Sequence, residues 1–165
     1  MKVLVTGAAG YIGSVLVPTL LNAGHDVVAM DNFMYNQSSL LDCAINPKLT
    51  IVRGDVRDKK LMEKLIKGAD AILPLACLTG APLCAKDPVG AQTILLDAIT
   101  DMLKIKSPSQ MVIFPTTNSG YGIGEKGIHC TESTPLRPIS LYGKLKVDAE
   151  NAILDAGGIT LRLAT

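Results

Sequence analysis

The 165 residues predict an α/β domain built on a doubly wound parallel sheet, and three observations carry that reading. Short apolar runs alternate with amphipathic helical stretches along the whole chain. The first run, Val3, Leu4 and Val5, is continuous rather than alternating, as expected of a strand buried on both faces. A glycine turn, Thr6-Gly7-Ala8-Ala9-Gly10-Tyr11-Ile12-Gly13, then separates that strand from the first helix.

The elements follow in order. The first strand spans Lys2–Thr6. A helix over 11–23 carries Ile12, Leu16, Leu20 and Leu21 at helical spacing, and Asn22-Ala23-Gly24 stops it. Residues 27–30 read as the second strand and 49–52 as the third. Leu61, Leu65 and Ile66 mark a helix closed by Gly68. A fourth strand is expected over 69–75, with Pro74 near its end, and a long helix over about 89–106. A fifth strand over 111–114, a helix over 141–154 and a sixth strand over Ile159–Leu163 complete the alternation. Helices on both faces of a parallel sheet follow from that order, with ligands expected outside the carboxyl ends of the strands. The loop over 119–138 is rich in Gly and Pro, and loops of that length commonly serve a site.

Composition narrows the function. A formal net charge of +1 offers no basic field for nucleic acid and no acidic tail. The longest apolar runs, such as 94–96 and 111–114, are too short to span a bilayer. The glycine turn begins too early to leave room for the apolar core of a signal peptide, so the expected location is cytoplasmic. One domain is expected over 1–165. Cys43, Cys77, Cys84 and Cys130 lack C-x-x-C spacing, so free, buried or half-buried thiols are expected rather than disulfides, with no metal site. His25 and His129 have no acid or metal partner in the sequence pattern.

The glycine turn is the first candidate for chemistry. Gly7 permits the tight turn, Gly10 lets backbone amides approach a pyrophosphate, and Gly13 permits close helix packing. The positive end of the helix then faces the anion. Asp31, at the end of the second strand, is placed to accept hydrogen bonds from the adenosine ribose hydroxyls and to repel a 2′-phosphate. No arginine follows in 32–36 to receive that phosphate, so NAD is favoured over NADP. Asp55, beside Val56, reads equally as an adenine-side carboxylate or as a cap for a helix beginning near Asp58.

Together these residues resemble the extended short-chain dehydrogenase/reductases of the NAD-dependent epimerase/dehydratase family, across essentially the whole chain. The turn Gly7-Ala8-Ala9-Gly10-Tyr11-Ile12-Gly13 resembles the family's N-terminal Rossmann motif. Asp31-Asn32-Phe33 and Gly54-Asp55-Val56 resemble its ribose and adenine segments, and Leu75-Ala76 its cofactor-contacting stretch. Residues 115–122 are similar to its Ser-Ser-x-x-x-Tyr-Gly segment, and Tyr142-Gly143-Lys144-Leu145-Lys146 to its Tyr-x-x-x-Lys helix. The resemblance implies a Rossmann fold, NAD as cofactor, a nucleotide sugar as substrate, Thr117, Tyr142 and Lys146 as the catalytic set, and Lys146 on the nicotinamide ribose.

The residue chemistry agrees. Tyr142 and Lys146 are four apart on one helix face. A lysine ammonium beside a phenol is expected to lower its pKa toward the working pH, so that the phenol takes a proton from a sugar hydroxyl. Thr117 is placed to hold that hydroxyl. In the family's 4,6-dehydratases an Asp-Glu pair follows this Thr; here Asn118-Ser119 follows, which points to a 4-epimerase-like reaction. A dehydratase or reductase is the alternative enzyme, and a non-catalytic NAD-binding module the alternative class.

Two departures accompany the resemblance. The family's Asn early in the helix after the fourth strand has no counterpart in Gln92-Thr93-Ile94-Leu95-Leu96. The sixth strand leads, in the family, into a C-terminal region forming most of the sugar pocket. With the sequence stopping at Thr165, the expectation is a front half with that region absent. Analogy implies a homodimer through the helix after the fourth strand and the Tyr142 helix. Leu96, Ile99, Met102 and Leu103 suit such a face and suit burial against the sheet equally.

Overall fold

The computed structural model describes residues 1–124 and 129–163. Residues 125–128 of the predicted long loop, and the last two residues including Thr165, lie outside the described residues. Six parallel strands form the sheet: β1 (Lys2–Thr6), β2 (Asp26–Asp31), β3 (Leu49–Arg53), β4 (Ala71–Pro74), β5 (Met111–Thr117) and β6 (Ile159–Leu163). Their spatial order is β3-β2-β1-β4-β5-β6. The order reverses between β1 and β4, which leaves a crevice above their carboxyl ends.

The helices are α1 (Tyr11–Asn22), α2 (Lys59–Lys67), α3 (Ala81–Lys86), α4 (Pro88–Gln92), α5 (Ala98–Ile105) and α6 (Leu141–Asp155). On one face of the sheet Val3, Val5, Val27 and Ala29 pack with Val17 and Leu21 of α1. On the other, Leu4, Met30, Ile72 and Phe114 pack with Met62 and Ile66 of α2, Ile99 and Met102 of α5, and Ala149 and Ile153 of α6. Burial on both sides explains why β1 reads as an unbroken apolar run.

Two expectations change here. The single helix over 89–106 is instead α4, a wide π-helical turn at Thr93–Asp97, and α5, with the separate helix α3 before them. The Thr93 hydroxyl donates back to the carbonyls of Val89 (2.9 Å) and Gly90 (3.2 Å), competition of the kind that bends helices. Of the stripe that suited a dimer face and burial against the sheet equally, Ile99 and Met102 are buried in the core and Leu96 and Leu103 pack against it. Among the cysteines all are free, but Cys130 is exposed rather than buried. Among the described residues no helix is long and apolar enough to cross a membrane.

Candidate active site

A cavity of about 540 Å³ runs along the carboxyl ends of the strands, from the β2 end past β1 and β4 to β5 and α6. Every residue the sequence singled out for cofactor or catalysis lines it: Gly7, Gly10, Tyr11, Ile12, Gly13, Asp31, Asn32, Asp55, Val56, Leu75, Ala76, Thr117, Tyr142 and Lys146.

The glycine turn forms one end. Gly7 sits at φ +65, and a Cβ there would lie 2.6 Å from the Ala76 amide nitrogen, so the turn needs glycine both for its backbone and for its approach to β4. A Cβ on Gly13 would overlap the Ala8 carbonyl, which is how α1 packs so close to the turn. Gly10 meets only the Gly7 carbonyl at 3.1 Å and otherwise faces open space. It is also the residue preceding α1, where no side chain caps the first-turn amides and no acid lies in that turn. Uncapped amides at a positive helix end suit an anion.

Asp31 is buried and already engaged. Its carboxylate accepts from the Ala9 amide at 3.0 Å and the Phe33 amide at 2.8 Å, tying the glycine turn to β2. Gln37 adds a contact at 3.4 Å. Gln37, which no sequence signal marked, thus joins the site six residues past Asp31. Asp55 does not cap the helix that begins near Asp58. It lines the cavity but holds Arg57 through two side-chain bonds of 2.8 and 2.7 Å, and this guanidinium keeps its carboxyl below the usual range. The α2 cap is Asp58, whose side chain accepts from the amides of Lys60 and Leu61.

The other end is built by β5 and α6. The strand runs three residues past the predicted end, so Thr117 is its last residue. Its Oγ1 accepts from the Ser119 amide at 3.2 Å, starting a tight turn over Asn118–Tyr121. Ser140 caps α6 by accepting from the Gly143 amide at 3.0 Å, which puts Tyr142 in the first turn. The Thr117 side chain, which lines the cavity with Tyr142, favours ionisation of the phenol. Burial outweighs it and pushes the phenol up to about 12, with Cys77 adding to the rise. The expectation of a phenol lowered by Lys146 is corrected. The Lys146 ammonium donates instead to the Pro115 carbonyl at 3.1 Å and lies 4.2 Å from the centre of the Phe114 ring. Burial at 6% exposure pushes its own pKa down.

Two further residues reach this end, Cys77 without a sequence signal and Thr116 from within the 115–122 segment. Cys77 follows Leu75-Ala76; burial raises its thiol pKa while the Lys146 charge opposes the rise. Thr116 is 5% exposed and, among the described residues, its Oγ1 has no hydrogen-bond partner. Ile94, from the wide helical turn, stands in the cavity wall near the position where the resemblance implies an Asn.

A six-stranded parallel sheet with this glycine turn and this cavity defines a dinucleotide-binding α/β protein. The NAD dependent epimerase/dehydratase family matches residues 3–159, and the chain belongs to that family. It is 32% identical to the UDP-glucose 4-epimerase of Lactobacillus helveticus over 91% of its own length and 45% of that protein's. Among solved structures it is similar to the UDP-Glc/GlcNAc 4-epimerase of Campylobacter jejuni, with a TM-score of 0.88 and 25% identity, covering 98% of this chain and 52% of that one. It is similar too to the UDP-glucuronic acid 4-epimerase of Bacillus cereus in complex with UDP-glucuronic acid and NAD. There the TM-score is 0.87 and the identity 27%, over 98% of this chain and 56% of that one. The chain spans about half the length of the curated relatives it matches.

Proposed function

We propose that residues 1–165 form the NAD-binding domain of a nucleotide-sugar 4-epimerase and carry its catalytic set, Thr117, Tyr142 and Lys146. The observation that carries the reading is the meeting of these three side chains at the far end of the cavity that the glycine turn opens. The fit to NAD rests on three features: uncapped α1 amides beside Gly10, the buried Asp31 carboxylate, and a buried Thr116 hydroxyl still lacking a partner.

When bound, NAD supplies a hydride acceptor and a positively charged ring. A positive charge near Tyr142 favours the phenolate, offsetting the burial that raises the phenol in the protein alone. Tyr142 Oη then accepts the proton of a sugar hydroxyl, and later returns it. Thr117 Oγ1, in the same end of the cavity, holds that hydroxyl in line. Lys146 would hold the nicotinamide ribose, the role that the family resemblance implies. Neither Asn118 nor Ser119 offers a carboxylate, which favours epimerisation over dehydration.

The test is to incubate the chain with NAD and UDP-glucose and follow nicotinamide absorbance. Reduced nicotinamide should form in the wild type, and Tyr142→Phe should slow it by about 100-fold or more. Binding of NAD with no reduction by any nucleotide sugar favours the binding-module reading for a chain of this length, and the same assay on a chain carrying the sugar-pocket region then decides the epimerase reading. The raised Tyr142 pKa, and a Lys146 turned to Pro115, are the observations on that side.

A further inference from the structure

Glu150 lies four residues past Lys146 and eight past Tyr142, so α6 puts all three on one stripe. It is 1% exposed, and a carboxylate that deep needs a cation. Arg162 of β6 supplies it, with Nε and Nη2 each 2.7 Å from Glu150 Oε1. The guanidinium does not stop there. Its Nη1 donates to the Tyr121 hydroxyl and to the Glu132 carbonyl, each at 3.1 Å. Tyr121 donates in turn to the Thr131 carbonyl at 3.1 Å. Tyr121 is the last residue of the tight turn that Thr117 begins. One side chain therefore fastens the catalytic helix, the edge strand, the turn bearing Thr117 and the segment returning at Thr131 and Glu132.

We propose that Arg162 is a positioning residue for the catalytic end of the cavity, acting through Glu150 on α6 and Tyr121 on the Thr117 turn. The role rests on the NAD reading above. A buried ion pair adds little net stability over well-packed apolar side chains, so its energy does not account for it. Geometry does: only a planar fork with five donors satisfies Glu150, Tyr121 and Glu132 at once, and a lysine has one nitrogen for the three. Fixing Tyr121 relative to Glu150 fixes the Thr117 turn relative to α6, and thereby the spacing of Thr117 from Tyr142. The glycine turn and Asp31, at the other end of the cavity, share no member of this network.

That separation defines the experiment. Binding of NADH and of ADP-ribose, which lacks the nicotinamide, is measured for the wild type, Tyr121→Phe and Arg162→Lys, together with the emission of bound NADH. Tyr121→Phe keeps the ring and removes only the hydroxyl, so it decides the matter should Arg162→Lys fail to fold. Each variant is expected to weaken NADH by roughly three- to tenfold, the loss of about one hydrogen bond's positioning, and to move its emission toward that of free NADH. ADP-ribose affinity should stay within about twofold, as expected for a distant, uncoupled site. A purely structural role would leave the emission unchanged or lower both affinities together, and either result in Tyr121→Phe overturns the proposal. A wild type that binds neither ligand refutes the NAD reading, and the positioning role falls with it. Wild-type binding of both, with Tyr121→Phe unchanged, overturns the positioning role alone.

Discussion

The two ends of the cavity are closed by different means: backbone at the glycine turn, side chains from separated segments around Tyr142. At the first end, β1, the turn and α1 are contiguous, and Gly7 brings the turn against the Ala76 backbone. Asp31 locks that end through two backbone amides. At the second, Thr117, Tyr142 and Lys146 come from β5 and α6, held by a Thr117 turn, a Ser140 cap and the Arg162 fork. The difference teaches where each end is vulnerable. Added bulk disrupts the first, while altered charge or hydrogen bonding retunes the second.

The largest expected effect tests the backbone end. Gly7→Ala should destabilise the fold by about 3–5 kcal/mol, combining an unfavourable left-handed residue with a Cβ driven into Ala76. Gly24 shares a positive φ, at +86, but has nothing within 4 Å of an added Cβ. Gly24→Ala should therefore cost only about 1 kcal/mol. Urea melts of the two variants isolate close approach from backbone strain, and equal losses would show that approach to Ala76 contributes nothing.

A smaller effect tests the side-chain end through pH. The Tyr142 phenol, raised to about 12, keeps its proton in the folded protein after an unfolded tyrosine has lost it. The stabilisation is complete below the unfolded value near 10 and is lost as pH rises toward 12, by about 1–2 kcal/mol after allowance for partial exposure. Tyr142→Phe should flatten that part of the alkaline stability curve. An unchanged curve would mean that burial does not raise the phenol.

The smallest effect concerns the Asp55–Arg57 pair at the backbone end. Asp55 is held below its ordinary value of 3.8, so its contribution is present above that value and lost as pH falls through the lower folded one. Both side chains are partly exposed, at 31% and 48%, and Asp55→Asn should cost less than about 1 kcal/mol at neutral pH. Acid titration of the variant should show a shallower loss of stability than the wild type. A loss above about 2 kcal/mol would mean that Asp55 supports more than this surface pair.

Legibility in the sequence follows the same division. β1 and β6 match their sequence-predicted bounds, because runs such as Val3-Leu4-Val5 admit one burial pattern. The helix after β4 did not read correctly, since the side-chain back-bonding of Thr93 that accompanies the wide turn leaves no periodic signature. Whether Asp55 caps the next helix stayed open in the sequence, because a cap depends on which carboxylate meets the first-turn amides, and in the structure that carboxylate is Asp58.

The alternation of elements, the glycine turn, Asp31 and the order Thr117, Tyr142, Lys146 were all determined by sequence alone, because each rests on local spacing or on residue types that one segment displays. The ionisation of Tyr142, the direction of Lys146, the recruitment of Gln37, Cys77 and Thr116 to the cavity, and the Arg162 fork were decided only in the tertiary structure. Burial and through-space charge depend on segments far apart in the chain, and no local pattern records which of them will meet.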